Sequence, residues 1–223
     1  MDQNIQTVNE KRLLLYQQLF LYGDFVPLSF KVDIELFTKE IVAFDQNWVL
    51  YNKQKGDTGR YGLSLTSLDG EMSGNPDLQS LYEYSKTTGK NISDNEFNKP
   101  TDAYKKLTSL SSILSHFEGG LGRCRVVKFR AGGFFPPHRD QPVSFQVPDH
   151  FRIFIPLQNT GDTDMFFIYE DRKISYEPGR AYLFNALKIH SVFSFRNDAH
   201  TVALSLQLNQ LNIKNAIQAL MVK

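Results

Sequence analysis

Two histidines and one aspartate set the chemistry open to this sequence. His138 and Asp140 stand two residues apart in Pro136-Pro137-His138-Arg139-Asp140, and on an extended segment that spacing turns both side chains to one face. Further along, Gly179 to Phe184 leads into Ile189-His190-Ser191-Val192, a second strand-like run with a second imidazole. Two imidazoles and a carboxylate on one face of a metal ion leave the other face open, the ligand arrangement with which non-haem Fe(II) oxygenases take a co-substrate and O2. Alone, H-x-D is a weak signal: five histidines and 24 acidic residues in 223 give about half a match to H-x-[DE] by chance. The competing reading has Asp140 capping a turn, His138 packed on Phe134 or Phe135, and His190 as a core histidine bonded to a carbonyl.

The elements that would position these residues divide the chain in two. From Gly122 onward, short β-rich runs are separated by turn residues: Cys124 to Arg130, Phe151 to Leu157, Met165 to Tyr169, Lys173 to Tyr176, Ala181 to Phe184, Ser191 to Phe195 and Thr201 to Leu208. Close spacing of so many strands predicts a sandwich or jelly roll rather than alternating βα units. Asp171-Arg172 reads as a hairpin turn, and Gly132-Gly133 and Pro178-Gly179 as breaks between strands. Residues 1–121 read as a helical and strand extension flanking a core at 122–208, with no linker or repeat to split the chain into separate folding units. Within the extension, Val8 to Tyr22 is apolar enough for a packed helix or a strand. Asp33 caps a helix running to about Phe44, with Leu36, Ile41 and Val42 as its stripe. Trp48 to Tyr51 and Tyr61 to Thr66 read as strands beside the core sheet, Asp77 to Thr87 and Thr101 to Phe117 as helices, and Asn209 to Val222 as a short terminal helix. The expected class is α+β, mainly β, with helices packed on the outside.

Composition narrows the partners. Twenty-five basic and 24 acidic residues leave a net charge of +1, which offers no broad surface for nucleic acid. The single cysteine, Cys124, cannot close an internal disulfide and has no thiolate companion, so metal chemistry must rest on imidazole and carboxylate. Met1-Asp2-Gln3-Asn4 lacks a basic leader, and Leu13 to Leu15 is too short for a membrane span, which predicts a cytoplasmic protein without a membrane anchor.

The order of parts from Cys124 to Asp140, then Phe151-Arg152-Ile153-Phe154-Ile155-Pro156-Leu157, then Pro178-Gly179 to Phe184 and His190, resembles the aspartyl/asparaginyl β-hydroxylase and proline hydroxylase branch of the Fe(II)/2-oxoglutarate dioxygenases. The resemblance covers about 85 residues. It implies a double-stranded β-helix (a cupin-like jelly roll) with Fe(II), 2-oxoglutarate and O2. His138, Asp140 and His190 would be metal ligands, and the substrate an amino-acid carbon, either in a free amino acid or in a peptide or protein side chain. The sequence departs from the pattern at position 200, where the family's arginine for the far carboxylate of 2-oxoglutarate is His200. A guanidinium suits a carboxylate better than an imidazole does, so Arg152 ranks first as the anchor and Arg196 second, with His200 open. If Phe154 lines the barrel, Arg152 on the same strand face does too. His116 is expected at a helix end and His150 in a loop. Two further readings stay open: a cupin-like metalloenzyme that does not use 2-oxoglutarate, and a jelly-roll binding protein without catalysis.

Overall fold

Strand-forming stretches of the chain pair into two antiparallel sheets, and the face each residue takes is set by parity along its strand. The structure is a computed structural model and describes residues 3–140 and 148–221. In chain order the helices are α1 (Gln3–Leu19), α2 (Ile34–Ile41), α3 (Leu81–Thr88), α4 (Asp102–Lys106), α5 (Ser111–His116) and α6 (Gln210–Gln218). The strands are β1 (Phe25–Lys31), β2 (Val49–Leu50), β3 (Arg60–Ser64), β4 (Thr66–Ser67), β5 (Lys99–Pro100), β6 (Arg125–Phe129), β7 (Phe134–His138), β8 (His150–Pro156), β9 (Met165–Tyr169), β10 (Arg172–Ile174), β11 (Arg180–Phe184), β12 (His190–Ser194) and β13 (Ala199–Gln207). A seven-stranded sheet in the order β1-β11-β8-β13-β6-β3-β2 accompanies a four-stranded sheet in the order β10-β9-β12-β7. This is a jelly-roll, cupin-like double-stranded β-helix. β4 and β5 form a separate small ribbon.

Two apolar layers hold the architecture. Phe151, Ile153 and Ile155 of β8, with Leu157 just past it, join Val202, Leu204 and Leu206 of β13 in a core with Leu19, Phe37, Leu114, Ile213 and other helix residues. The opposite face supplies Phe154, Phe129, Tyr182 and Phe184, which meet Phe167, Tyr169 and Val192 of the smaller sheet. The helices therefore cover the outside of the large sheet, while the aromatic layer lies between the sheets. The extension contributes more than an outer layer, because β1 and β3 are hydrogen-bonded to β11 and β6 inside the large sheet.

Where the sequence reading and the structure differ, tertiary contacts decide. Of the stretch Val8 to Tyr22, residues through Leu19 are helical, in α1, and Phe20 to Tyr22 form a turn. Asp33 does cap α2, accepting from the Leu36 amide at 3.1 Å, yet Phe37 and Ile41 are the buried residues there, whereas Leu36 and Val42 are exposed. The helix expected from Asp77 begins only at Leu81 behind Ser80, because Asp77 is buried and hydrogen-bonded by Ser64. The helix expected over Thr101 to Phe117 breaks at Leu107, and the amides of Thr108 and Ser109 each donate at 3.0 Å to the Glu40 carboxylate, far away in sequence. The hairpin between β9 and β10 turns at Glu170-Asp171, with Glu170 at φ 56°, one residue before the expected turn.

The chain after β6 is steered toward the site by a close backbone approach. A Cβ on Gly133 would lie 2.4 Å from the Gly59 carbonyl oxygen, a contact only glycine permits. Phe134 N–H then donates to Thr58 at 3.1 Å and launches β7. That strand contains Pro136 and Pro137, which β7 tolerates because it ends the four-stranded order and need not donate on both sides.

Candidate metal centre

The two histidines meet because β7 and β12 pair in a register that sets His138 opposite His190, and their ring centroids are 4.3 Å apart. Asp140 follows just beyond β7, its amide held by the Ala186 carbonyl at 2.9 Å. One ligand atom from each of His138, Asp140 and His190 lies within 4.8 Å of the others. The sequence reading named these three, and the fold brings them together.

The hydrogen bonds around the ligands fit a divalent ion. His138 Nδ1 contacts the Pro136 carbonyl at 2.7 Å and His190 Nδ1 contacts the Lys188 carbonyl at 2.9 Å. Carbonyls only accept, so each Nδ1 carries the proton and each Nε2 presents a lone pair. Asp140 Oδ2 accepts from Arg152 Nε at 2.8 Å, while Oδ1 lies 3.6 Å from His138 Nε2, at van der Waals reach and free for an ion. Burial lowers the His190 pKa, which favours the neutral imidazole, the form that can bind a metal. Burial also works against the charged Asp140, but Arg152, His190 and His138 outweigh it and hold the carboxyl well below its ordinary range. Two nitrogens and one oxygen on one side suit Fe(II), Mn(II) or Co(II) better than a thiolate-loving metal.

Arg152 shares a strand face with Phe154, as parity predicts, and Phe154 belongs to the layer between the sheets. Its guanidinium, however, is already engaged. Besides Asp140, it meets Asp94 Oδ1 at 3.2 Å, and only Nη1 is buried without an acceptor. Asp94 in turn receives Arg123 Nε at 3.0 Å, so the chain Asp140-Arg152-Asp94-Arg123 links a candidate metal ligand to the extension. Opposed by burial, the two neighbouring carboxylates nonetheless raise the Arg152 pKa.

The other two candidate anchors are not at this site. Arg196 is exposed and paired with Asp164 at 2.8 Å, and it is absent from the lining of the cavity beside the ligands. It sits two residues past the end of β12, so shared parity with His190 no longer aims it inward. His200 lies on β13 with the parity of Val202, a residue of the helix-side core, and packs against Phe37 and Trp48. It faces away from the metal ligands. His150, expected in a loop, begins β8, is buried, and contacts Asp149 at 2.9 Å on the cavity wall. His116 ends α5 as expected.

Buried His200 gives a pH prediction. Burial, then Lys128, push its pKa down from 6.5 to about 4 against a smaller opposing pull from the Asp198 backbone and Asp45. The unfolded chain therefore binds the proton first, and this group's contribution is complete above pH 6.5 and lost as pH falls toward about 4. A difference of that size corresponds to about 3 kcal/mol. His200→Phe should flatten the acid limb of a plot of melting temperature against pH; an unchanged limb would assign acid sensitivity to another group.

A cavity of about 330 Å³ opens beside His138 and Asp140. Its wall includes Tyr51, Arg60, Arg123, Arg125, Phe135 and Arg152. Sequence reasoning missed Asp94, Arg60 and Arg125 as site residues. Arg125 was legible in principle, since its parity is that of Val127 and Phe129, both in the inter-sheet layer. Asp94 sits in a short capped turn, Ser93 to Glu96, and carries no such mark.

No protein-family model matches the chain, and no curated protein sequence does. Among solved structures, KdgF from Halomonas sp. is similar over 41% of this chain and 72% of its own, at 20% identity and TM-score 0.31. YcfD, a ribosomal oxygenase from Escherichia coli solved with cobalt and 2-oxoglutarate, is similar over 45% of this chain and 28% of its own, at 14% identity and TM-score 0.33. A predicted oxalate decarboxylase from Thermotoga maritima is similar over 42% of this chain and 73% of its own, at 14% identity and TM-score 0.31. Among the described residues, no helix is long and apolar enough to cross a membrane.

Proposed function

We propose that this chain is an Fe(II)/2-oxoglutarate-dependent oxygenase that hydroxylates an amino-acid carbon. The observation that carries the reading is the convergence of two Nδ1-protonated imidazoles with a carboxylate whose second oxygen is held by Arg152. His138, Asp140 and His190 would hold the metal. When bound, Fe(II) would activate O2, the oxidant, with one oxygen atom going to the carboxylate of succinate as 2-oxoglutarate loses CO2 and the other to the new hydroxyl. The chain's own residues orient the reactants. Arg152 fixes which oxygen Asp140 offers, and its unpartnered Nη1 is the donor we assign to a co-substrate carboxylate. Phe129, Phe154 and Phe184 close the barrel behind the site and exclude water from that side.

The test is reconstitution with Fe(II), 2-oxoglutarate and O2, followed by succinate release in the presence of free amino acids and short peptides. Succinate stimulated by one of them is expected; stoichiometric metal binding with no 2-oxoglutarate affinity would sink the proposal. That second outcome belongs to a cupin-like metalloenzyme that does not use 2-oxoglutarate. One observation favours it: position 200, the family's arginine, turns to the helix side of the sheet.

A further inference from the structure

Arg60 and Arg125 are buried cations with no carboxylate in direct contact among the described residues, although Asp94 and Asp77 act on Arg125 from farther off. The two arginines are 3% and 8% exposed, and neither makes an ion pair among the described residues, where Arg123 and Arg152 share Asp94. Arg125 Nη1 donates to the Arg123 carbonyl at 3.2 Å, and its Nε is buried with no acceptor. Arg60 Nε donates to Thr58 at 2.8 Å. Burying a guanidinium this way is unfavourable unless an anion joins it.

Aromatic rings tie the two cations to each other and to the metal ligands. The Arg60 guanidinium carbon lies 3.8 Å from the Phe135 ring centroid and 5.3 Å from that of Tyr51. Arg125 lies 5.6 Å from the same Tyr51 ring. Phe135 in turn stacks on His138, with centroids 5.8 Å apart. Both arginines come from adjacent strands, β3 and β6, whose register sets Arg60 opposite Phe129 and Arg125 opposite Ser64. All of these residues except Ser64 and Phe129 line the cavity.

We propose that Arg60 and Arg125 form a subsite for a carboxylate carried by the molecule that is oxidised, distinct from the co-substrate's place at Arg152. Resting on the function proposed above, this narrows the substrate to an acid held by its own carboxylate, with the ring of Phe135 between that anchor and His138. Aromatic faces at Tyr51 and Phe135 stabilise the guanidinium planes and leave their N–H edges for the incoming oxygens. The carboxylate could be the α-carboxylate of a free amino acid or the side chain of an acidic residue, and the test separates the two.

The full chain is loaded with Co(II), saturated with 2-oxoglutarate without O2, and titrated calorimetrically with free amino acids, their α-amides, and end-blocked peptides containing Asp or Asn. Binding by a carboxylate-bearing ligand is expected, with its neutral counterpart at least tenfold weaker. A free amino acid beating its amide assigns the α-carboxylate, and an Asp peptide beating its Asn twin assigns the side chain. Arg125→Gln should weaken the acid at least tenfold and leave Co(II) affinity unchanged. Equal binding of acid and neutral partner, no binding of any acid, or a folded Arg125→Gln protein with wild-type affinity would overturn the subsite. The acid-against-neutral comparison on the unaltered chain decides the matter if the variant does not fold. Should 2-oxoglutarate itself fail to bind, the function proposal falls, and the same comparison on the Co(II) protein alone still judges Arg60 and Arg125.

Discussion

His138→Ala should abolish metal-dependent turnover and leave the fold in place. The imidazole stands at the end of an edge strand with 35% of its side chain exposed, so its loss removes little buried surface. What disappears is one of three convergent ligand atoms. Loss of an outer partner alone typically costs ten- to a hundredfold in metal affinity, so loss of a ligand should cost about a hundredfold or more. Metal affinity by calorimetry and the melting temperature, measured together, check this. Wild-type turnover in a folded His138→Ala protein would remove the metal centre from the account. His190→Ala is the less clean variant, because His190 is buried against Phe167 and Phe184 and its truncation adds a cavity cost.

Arg152→Ala should be the most destabilising single change in the site. Its removal leaves the buried Asp94 with Arg123 as its one ion-pair partner among the described residues, beside the Ser205 hydroxyl, and frees Asp140 from the bond that fixes Oδ2. Breaking buried pairs of this kind costs about 3–5 kcal/mol. The sequence alone pointed to Arg152 as a co-substrate anchor. With Arg152 bound to a ligand carboxylate, metal affinity should fall as well as 2-oxoglutarate affinity. Arg152→Lys keeps the charge but cannot bridge two carboxylates with a planar fork, so it should recover part of the stability and little of the metal affinity. Denaturant unfolding and Co(II) titration of both variants provide the measurement; an Arg152→Ala protein as stable as the wild type would show that the pairs contribute nothing net.

Parity made much of the site legible. Period-two patterning put His138 and Asp140 on one face and Arg152 on that of Phe154, while the spacing of the strands left a sandwich and a jelly roll open and the family resemblance pointed to the latter. Helix boundaries failed where distant groups intervene, as when Glu40 binds the amides of Thr108 and Ser109. His200 misled for a similar reason. Counting ten residues from His190 takes no account of the bend through Asn197 and Asp198, where Asp198 has φ 52°, so the register into β13 could be read only from the pairing of His200 with Lys128. Asp94 was invisible because its partners, Arg123 and Arg152, are 29 and 58 positions away in a chain with 24 acidic residues to choose from.

The shared guanidinium between Asp140 and Asp94 has a bearing on how portable this centre is. A fragment cut at Gly122 would inherit all three ligands and Arg152, yet leave behind Asp94, the carboxylate that steadies Arg152 from the other side, along with β3 and its Arg60. Grafting the His138-to-His190 segment onto another barrel would therefore transplant the coordinating atoms without their counterweight. In this protein the first half of the chain works as a built-in splint for the second.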